Sequence, residues 1–73
     1  MNIGAGIQKQ MDKMGITSLS SLARRTGVNQ PTLHKIMSGE TEDPRLSTML
    51  ALATFFDVSV EELVGEGDEQ EQV

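Results

Sequence analysis

An all-α fold is predicted for this 73-residue chain by three features of its sequence. Apolar residues recur at spacings of three and four, which is the period of a helix that buries one face. Residues that begin or end helices, such as Ser, Asn, Pro and Gly, stand between these apolar stretches. No segment alternates apolar and polar residues in the manner of a half-buried strand. We therefore expect five short helices in one compact domain.

The first two helices are predicted from apolar stripes and their flanking residues. A stripe at spacings of four, four and three ends at Gly15 and is expected to face the core: Ile3, Ile7, Met11 and Met14. Gly4 and Gly6 weaken the first turn of this helix, so its start is less well defined than its end. The second helix begins after Ser18, whose hydroxyl suits an N-cap, and stops near Gly27.

The remaining three helices follow from the same signals. Asn29 is the N-cap of the third helix, Pro31 fits its first turn, and Gly39 ends it. Pro44 separates it from a fourth helix, which has a broad apolar face: Leu46, Met49, Leu50, Leu52, Ala53 and Phe56. Ser59 caps a fifth helix, whose first turn holds two glutamates that match the helix dipole.

Charge is distributed unevenly along the chain. The formal net charge of −5 alone argues against a polyanionic partner, but six of the 11 acidic residues lie from Glu61 onward, where there is no base. Between Lys13 and Gly39 there are four of the six basic residues and no acid. We therefore predict a folded domain at residues 1–65 and an acidic, disordered tail or linker start at 66–73.

Several classes of function are excluded by composition. Without cysteine there is no disulfide, thiolate zinc site or thiol nucleophile, and one histidine gives no second imidazole to share a metal. No nucleophile–base pair or phosphate loop is visible, so we expect neither an enzyme nor a cofactor. No apolar stretch approaches the 18 or so residues of a membrane span. We therefore expect a cytoplasmic protein.

Residues 22–39 have the pattern of a helix-turn-helix, in which a turn of three or four residues joins two short helices. Ala23 is small where the next helix crosses, and Gly27 permits a positive φ in the turn. Three apolar residues anchor the second helix of the motif: Val28, Leu33 and Ile36. The residues left on its outward face are those that would meet a major groove: Gln30, Pro31, His34, Lys35 and Ser38.

This motif resembles the lambda-repressor-like family of helix-turn-helix regulators, which includes phage repressors, Cro proteins and Xre-type regulators. The resemblance covers about residues 7–65, because residues 43–46 and 56–63 are similar to the fourth and fifth helices of that family. It resembles the amino-terminal domain of a phage repressor. It implies a compact five-helix bundle that binds duplex DNA, with a recognition helix at about residues 30–38.

The resemblance also implies roles for individual residues. Gln30 takes a base-reading position that suits adenine, Pro31 a second, and Lys35 a third that suits guanine or a phosphate. Ser38 and residues 40–45 match the region that contacts the DNA backbone, and Arg45 matches an arginine that approaches the minor groove. The DNA-binding residues expected on these grounds are Thr17, Ser18, Asn29, Gln30, Pro31, Thr32, His34, Lys35, Ser38 and Arg45.

One position departs from the family pattern. Relatives often open the second helix with a glutamine that holds a phosphate, whereas this chain has Leu19 there, with an extra residue just before it. The phosphate contact then falls to Thr17, Ser18 or Ser20. Arg24 and Arg25 are weighed as phosphate contacts or as ordinary solvated residues.

The expected function is transcriptional regulation, most simply repression, by a weak homodimer on a two-fold-symmetric operator in a phage or bacterium. The predicted dimer contacts are Val58, Val60 and Val64 in the fifth helix. The chain is either a whole small regulator or the amino-terminal part of a longer repressor, whose carboxy-terminal domain would supply most of the dimerisation. The alternative is an antitoxin-type module that binds a partner protein, with DNA binding secondary.

Overall fold

The computed structural model describes residues 3–41 and 43–65, and within these ranges the chain forms five helices and no strand. The helices are α1 (Ile3–Met14), α2 (Leu19–Thr26), α3 (Gln30–Met37), α4 (Leu46–Phe56) and α5 (Val60–Gly65). The predicted all-α bundle with a helix-turn-helix at α2 and α3 is confirmed. The predicted acidic tail at 66–73 lies outside the described residues.

Three helices begin at the N-caps predicted for them. The Ser18 hydroxyl accepts a hydrogen bond from the Ser21 amide at 3.1 Å, and the Asn29 side chain accepts one from the Thr32 amide at 2.9 Å. Ser59 accepts one from the Glu62 amide at 2.9 Å. Each cap satisfies one of the amides that a helix start leaves without an intrahelical partner, which fixes where the helix begins.

The helices pack around a single core. α1 packs against α3 and α5, α2 packs against α3 and α4, and α4 also packs against α5. Five side chains are fully buried: Ile7, Leu22, Leu33, Leu52 and Leu63. One belongs to each helix, so each helix is attached to the same core by at least one apolar side chain.

The close approach of α1 to α3 depends on a glycine. A Cβ added at Gly4 would lie 3.2 Å from the Met37 carbonyl oxygen and 3.3 Å from that of Ile36. A side chain there would have to push the end of α3 aside. Gly4, which weakens the helix locally, is therefore explained by packing.

The apolar stripes predicted to face the core are only partly buried. Met14 retains 46% of its exposure, so its assignment to the core is wrong. Ile16, just after α1, is buried instead. Leu46 and Leu50, on the broad apolar face of α4, retain 67% and 48%. Gln10, which the apolar pattern gave no reason to bury, is 4% exposed, and its Nε2 atom has no hydrogen-bond partner among the described residues. None of the described helices is both long enough and apolar enough to span a bilayer.

Candidate nucleic-acid interface

The turn between α2 and α3 is fixed by local hydrogen bonds. Gly27 has φ +84°, and its amide donates to the Ala23 carbonyl at 2.9 Å, which ends α2. The Thr26 hydroxyl donates to the Leu22 carbonyl at 2.8 Å and accepts from the Val28 amide at 3.2 Å. These bonds connect the last turn of α2 directly to the residue that leads into α3. The orientation of α3 relative to α2 is therefore set within a few residues.

Helix α3 divides cleanly into a buried and an exposed side. Leu33 is fully buried and Ile36 is 3% exposed, as the anchoring prediction requires. Of the residues in this helix predicted to face DNA, Thr32 is half-buried. The others are exposed: Gln30, Pro31, His34 and Lys35. The outward side thus carries an amide, a pyrrolidine ring, an imidazole and an ammonium group within two turns.

The first turn of α3 is preorganised by its cap. The Asn29 side-chain oxygen accepts from the Thr32 amide. The NH₂ group of the same side chain is left to donate to another group. Pro31 lies in this first turn, where its missing N–H has no intrahelical partner to lose. Gln30 is the first residue of the helix, so its side chain extends from a fixed backbone.

The end of α3 is closed by Ser38 and the residues after it. The Ser38 hydroxyl donates to the Lys35 carbonyl at 3.2 Å and accepts from the Glu40 amide at 3.4 Å. The Thr41 amide also donates to the Lys35 carbonyl, at 3.2 Å. The Ser38 side chain is exposed, but its hydroxyl already makes hydrogen bonds within the turn. Only the backbone carbonyl of Lys35 takes part in these bonds, so the Lys35 side chain stays exposed.

An open cleft of about 560 Å³ lies between the α2–α3 turn and the start of α4. It brings together three of the predicted DNA-binding residues: Asn29, Thr32 and Arg45. Thr41, from the 40–45 region expected to contact the DNA backbone, also lines it, together with three hydroxyl residues that the sequence reasoning did not select: Thr26, Ser47 and Thr48. Ser47 and Thr48 stand as a polar pair at the start of an otherwise apolar helix, and this was the signal that could have identified them. Asp43 lines the same cleft and opposes an anion there.

Arg45 stands at the N-cap of α4 but does not cap it. Its backbone has φ −63° and ψ 147°, and its side chain makes no capping hydrogen bond. The first turn of α4 contains no acidic residue either. The positive end of this helix dipole therefore adds to the Arg45 charge at the edge of the cleft.

The start of α2 carries the other predicted phosphate contacts. Thr17 and Ser18 are exposed, and Ser18 is also the N-cap. Leu19 is half-buried against the core, which accounts for an apolar residue at this position. The Arg24 Nη1 atom donates to the Ser20 hydroxyl at 3.1 Å on the exposed side of the helix. Thr17, Ser18 and Arg24 are not among the residues that line the cleft.

The valines predicted to form a dimer contact are packed against the chain's own core. Val58, Val60 and Val64 are all half-buried beside it. Each therefore leaves only part of its side chain for another molecule.

Comparison with known proteins places this fold. A family model described as Cro/C1-type HTH DNA-binding domain matches residues 6–65. The chain belongs to the Cro/C1-type helix-turn-helix family. The resemblance to phage repressors and Cro proteins is thereby confirmed, and the domain is a DNA-binding domain by family. No solved structure gives a significant match.

Two relatives match parts of the chain. It is similar, with 43% identity over 47 residues, to an uncharacterized HTH-type transcriptional regulator of Coxiella burnetii, covering 64% of this chain and 22% of that protein. It is similar, with 40% identity over 42 residues, to putative protein P2 of Acyrthosiphon pisum secondary endosymbiont phage 1, covering 58% of this chain and 44% of that protein. The chain thus spans less than half the length of each relative.

Proposed function

We propose that this Cro/C1-type domain binds a specific duplex sequence as a homodimer and represses transcription, in the cytoplasm of a bacterium and at its nucleoid. The observation that carries the proposal is the outward side of α3, where Gln30 and Lys35 are exposed on a helix whose opposite side is locked into the core. Similarity to a protein named as a transcriptional regulator and to a phage protein supports the regulatory role. An enzymatic role has no support in the site.

Base reading is assigned to the first and second turns of α3. Gln30 presents both an amide donor and an acceptor, which pair with adenine N7 and N6 in the major groove. Lys35 lies five residues further along, where an ammonium group meets guanine O6 and N7 or a phosphate. Pro31 offers only apolar contact, which suits a thymine methyl group. His34 completes this face.

Backbone contacts are assigned to the cleft and its two edges. Arg45 supplies a cation, Ser47 and Thr48 supply hydroxyl donors, and the uncapped start of α4 supplies backbone amides. Thr17 and Ser18 supply the flanking contact at the start of α2. These groups fix the position of α3 in the groove and carry little sequence preference themselves.

The balance of charges sets how the domain binds. Residues 1–60 contain six bases and five acids, a net charge of only +1, so bulk attraction to DNA is weak. Specific binding must then rely on geometry and on two copies acting together. We expect low non-specific affinity and a shallower salt dependence than a strongly basic domain shows.

Selection of bound sequences from random duplex DNA tests the proposal. A two-fold-symmetric consensus with half-sites about one helical turn apart is the expected result. Recovery of no enriched sequence at low salt contradicts sequence-specific binding, and an enriched single half-site contradicts the dimer alone.

Lys35→Ala separates the two roles open to that residue. If Lys35 reads a base, the variant loses about 1–3 kcal/mol on the selected site and accepts other bases at one position. If it contacts phosphate, all sequences weaken alike and the salt slope falls by about one. An unchanged affinity on every sequence would remove Lys35 from the interface.

A second candidate function has one observation in its favour. A protein-interaction module of the antitoxin type needs an exposed apolar surface, and α4 has one at Leu46 and Leu50. The exposed polar side of α3 has no role in a protein-interaction module of this type.

A further inference from the structure

The largest exposed apolar side chains among the described residues lie mainly on α4. Leu46 is 67% exposed and Leu50 is 48% exposed. The third such residue, Met14, is 46% exposed and lies on α1. Leu46, Leu50 and Thr54 follow one another at intervals of four and so form one row along the outside of the helix, which we call the α4 row. Single exposed leucines are common on protein surfaces and need no special reason. Two leucines aligned on one helix face form a continuous apolar patch, and such patches mark surfaces that contact another molecule.

The α4 row is also free of charge. None of the 11 residues of α4 is charged, although 23% of the whole chain is. Exposed helices of small domains ordinarily carry charged residues on the solvent side. An uncharged, leucine-bearing outer face is typical of a surface that another protein covers.

A groove of about 550 Å³ runs beside the α4 row, between α2 and α4. Its lining is mostly apolar or small: Arg25, Thr26, Ser47, Leu50, Ala51, Thr54 and Phe55. The Phe55 ring is held edge to face against Phe56, with centroids 5.2 Å apart. Since Phe56 is buried, this contact fixes one wall of the groove. The row and the groove thus form a ridge beside a hollow.

The chemistry of the α4 row narrows what covers it. DNA requires cations or hydrogen-bond donors, and Leu46 and Leu50 offer neither. Within this sequence, residues 66–73 hold four acids and a single apolar residue, so they do not match an apolar ridge. A second copy of this chain carries both the ridge and the hollow and is therefore complementary to itself.

We propose that two copies of this chain pair through α4, with the helices antiparallel about a two-fold axis at Leu50. This inference rests on the homodimer of the proposed function and names its contact surface. In such a pair Leu50 meets the partner's Leu50, and Leu46 meets the partner's Thr54, because 46 and 54 are equally far from 50. The two ridges then face each other at the axis, and the hollow beside each ridge lies next to the partner's helix.

Symmetry favours α4 over α5 for this contact. A two-fold interface places each patch against its own copy, so like charges in the patch repel. α4 itself contains no charge, and the hollow has a single charged residue, Arg25 of α2, whereas Glu61 and Glu62 stand side by side next to Val60 at the start of α5. The valines of α5 are in addition half-buried in their own core, while Leu46 and Leu50 are not.

The size of α4 predicts a weak pair. A helix of 11 residues is about 16 Å long, so α4 alone covers far less than the ~800 Å² per partner of a standard interface. Pairing should therefore be seen at high protein concentration, or on an operator where two half-sites hold the copies close together.

Cysteine cross-linking tests the axis directly, because the chain has no cysteine of its own. Leu50→Cys is oxidised with copper–phenanthroline at high protein concentration and analysed on a non-reducing gel. We expect a disulfide-linked dimer for Leu50→Cys and at least tenfold less for Met14→Cys, which has nearly the same exposure. Equal cross-linking of the two variants would overturn the proposal. Mixed Leu46→Cys and Thr54→Cys proteins should cross-link more than Leu46→Cys alone, and the reverse would overturn the register.

Sedimentation equilibrium separates this proposal from the proposed function. Leu50→Glu should raise the dimer dissociation constant at least tenfold, because it places two carboxylates on the axis, whereas Val60→Thr should leave it unchanged. Dimerisation lost in Val60→Thr but kept in Leu50→Glu would assign the contact to α5 and overturn ours. Binding of Leu50→Glu to a single half-site should match that of the parent chain. Failure of the parent chain itself to bind DNA contradicts the proposed function and leaves the dimer measurement intact.

Discussion

Helices α3 and α4 are both short and both attached to the core, yet their outward faces are chemically opposite. α3 exposes an amide, an imidazole and an ammonium group, whereas α4 exposes two leucines among small hydroxyl residues. The starts of the helices differ too, since Asn29 caps α3 and nothing caps α4. The scaffold thus holds each helix by its inner side and leaves its outer side free to be matched to a different kind of partner.

The difference also separates residues that maintain the fold from those that make contacts. The inner sides of α3 and α4 each include a fully buried leucine, Leu33 and Leu52. The outer residues are exposed and contribute little to folding. Substitutions on the two sides of either helix should therefore affect different measurements, which the variants below test in order of decreasing effect.

The largest effect is expected from Leu33→Ala. Removing a fully buried leucine costs about 2–5 kcal/mol of unfolding free energy through lost burial and the cavity left behind. A 73-residue chain has little stability in reserve, so this variant should be largely unfolded at 37 °C in thermal melts followed by circular dichroism. Leu50→Ala is the matched control and should cost less than about 1 kcal/mol, because Leu50 is already 48% exposed. Similar losses of unfolding free energy in the two variants would contradict the placement of Leu33 on an inner side and Leu50 on an outer side.

The order and ends of the helices could be predicted from the sequence because they depend on local chemistry. Ser18, Asn29 and Ser59 are caps whose hydrogen bonds reach only three residues along the chain. The left-handed Gly27 likewise ends α2 through its own amide. Such signals are contained in a few adjacent residues, so no tertiary information is needed to interpret them.

Which apolar residues are buried was harder to predict, because it depends on how much surface the neighbouring helices can cover. α4 has no charged residue, so its sequence shows no polar side, and Leu46 and Leu50 fall on the same broad apolar face as the buried residues of the helix. Met14, the last residue of α1, is exposed, whereas Ile16 in the following turn is buried. Periodicity shows which residues are able to face inward, but five short helices cannot cover them all.

Gln30→Ala is expected to produce the largest binding effect. It removes a bidentate pair with a base and should weaken binding to the selected operator by about 1–3 kcal/mol, or five- to 150-fold. The melting temperature should stay within error, because Gln30 is exposed and makes no described hydrogen bond. Fluorescence anisotropy with labelled duplex measures the change. An unchanged affinity on the best selected site would show that the first turn of α3 does not read a base.

The candidate interface was predictable where it lies within the motif and not where it is assembled from separate segments. Residues on the outward side of α3 follow from helical spacing once the anchors Leu33 and Ile36 are recognised. The cleft instead brings the α2–α3 turn against the start of α4, so Ser47 and Thr48 join Asn29 across a loop. That proximity results from packing of α2 against α4, which no local pattern encodes.

A smaller effect is expected from removing the cap of α3. Asn29→Ala leaves the Thr32 amide without its acceptor and should lower the unfolding free energy by about 1 kcal/mol, measured by urea denaturation. Asn29→Ser retains a capping oxygen and should lose only a few tenths of a kcal/mol. Equal stability of the alanine and serine variants would mean that the cap contributes nothing.

The smallest effect is expected from giving α4 the cap that α3 already has. The Arg45 backbone already has the extended conformation of an N-cap, so Arg45→Asn can place its side-chain oxygen near the Thr48 amide, as Asn29 does for Thr32. We expect a gain of about 0.5–1 kcal/mol in unfolding free energy. We also expect weaker DNA binding, because a cation at the edge of the cleft is lost.

Arg45→Gln isolates these two consequences. It removes the same charge but carries a side chain longer than those that favour the N-cap position, so DNA binding should weaken without a gain in stability. If Arg45→Asn is more stable and binds DNA as tightly as the parent chain, Arg45 has no part in the interface and its presence is unexplained. If it binds more weakly, as we expect, then α4 is left without a side-chain cap because that position serves DNA. The two helix starts would then differ because Asn29 stabilises the start of α3, whereas Arg45 gives up the cap of α4 for a contact with DNA.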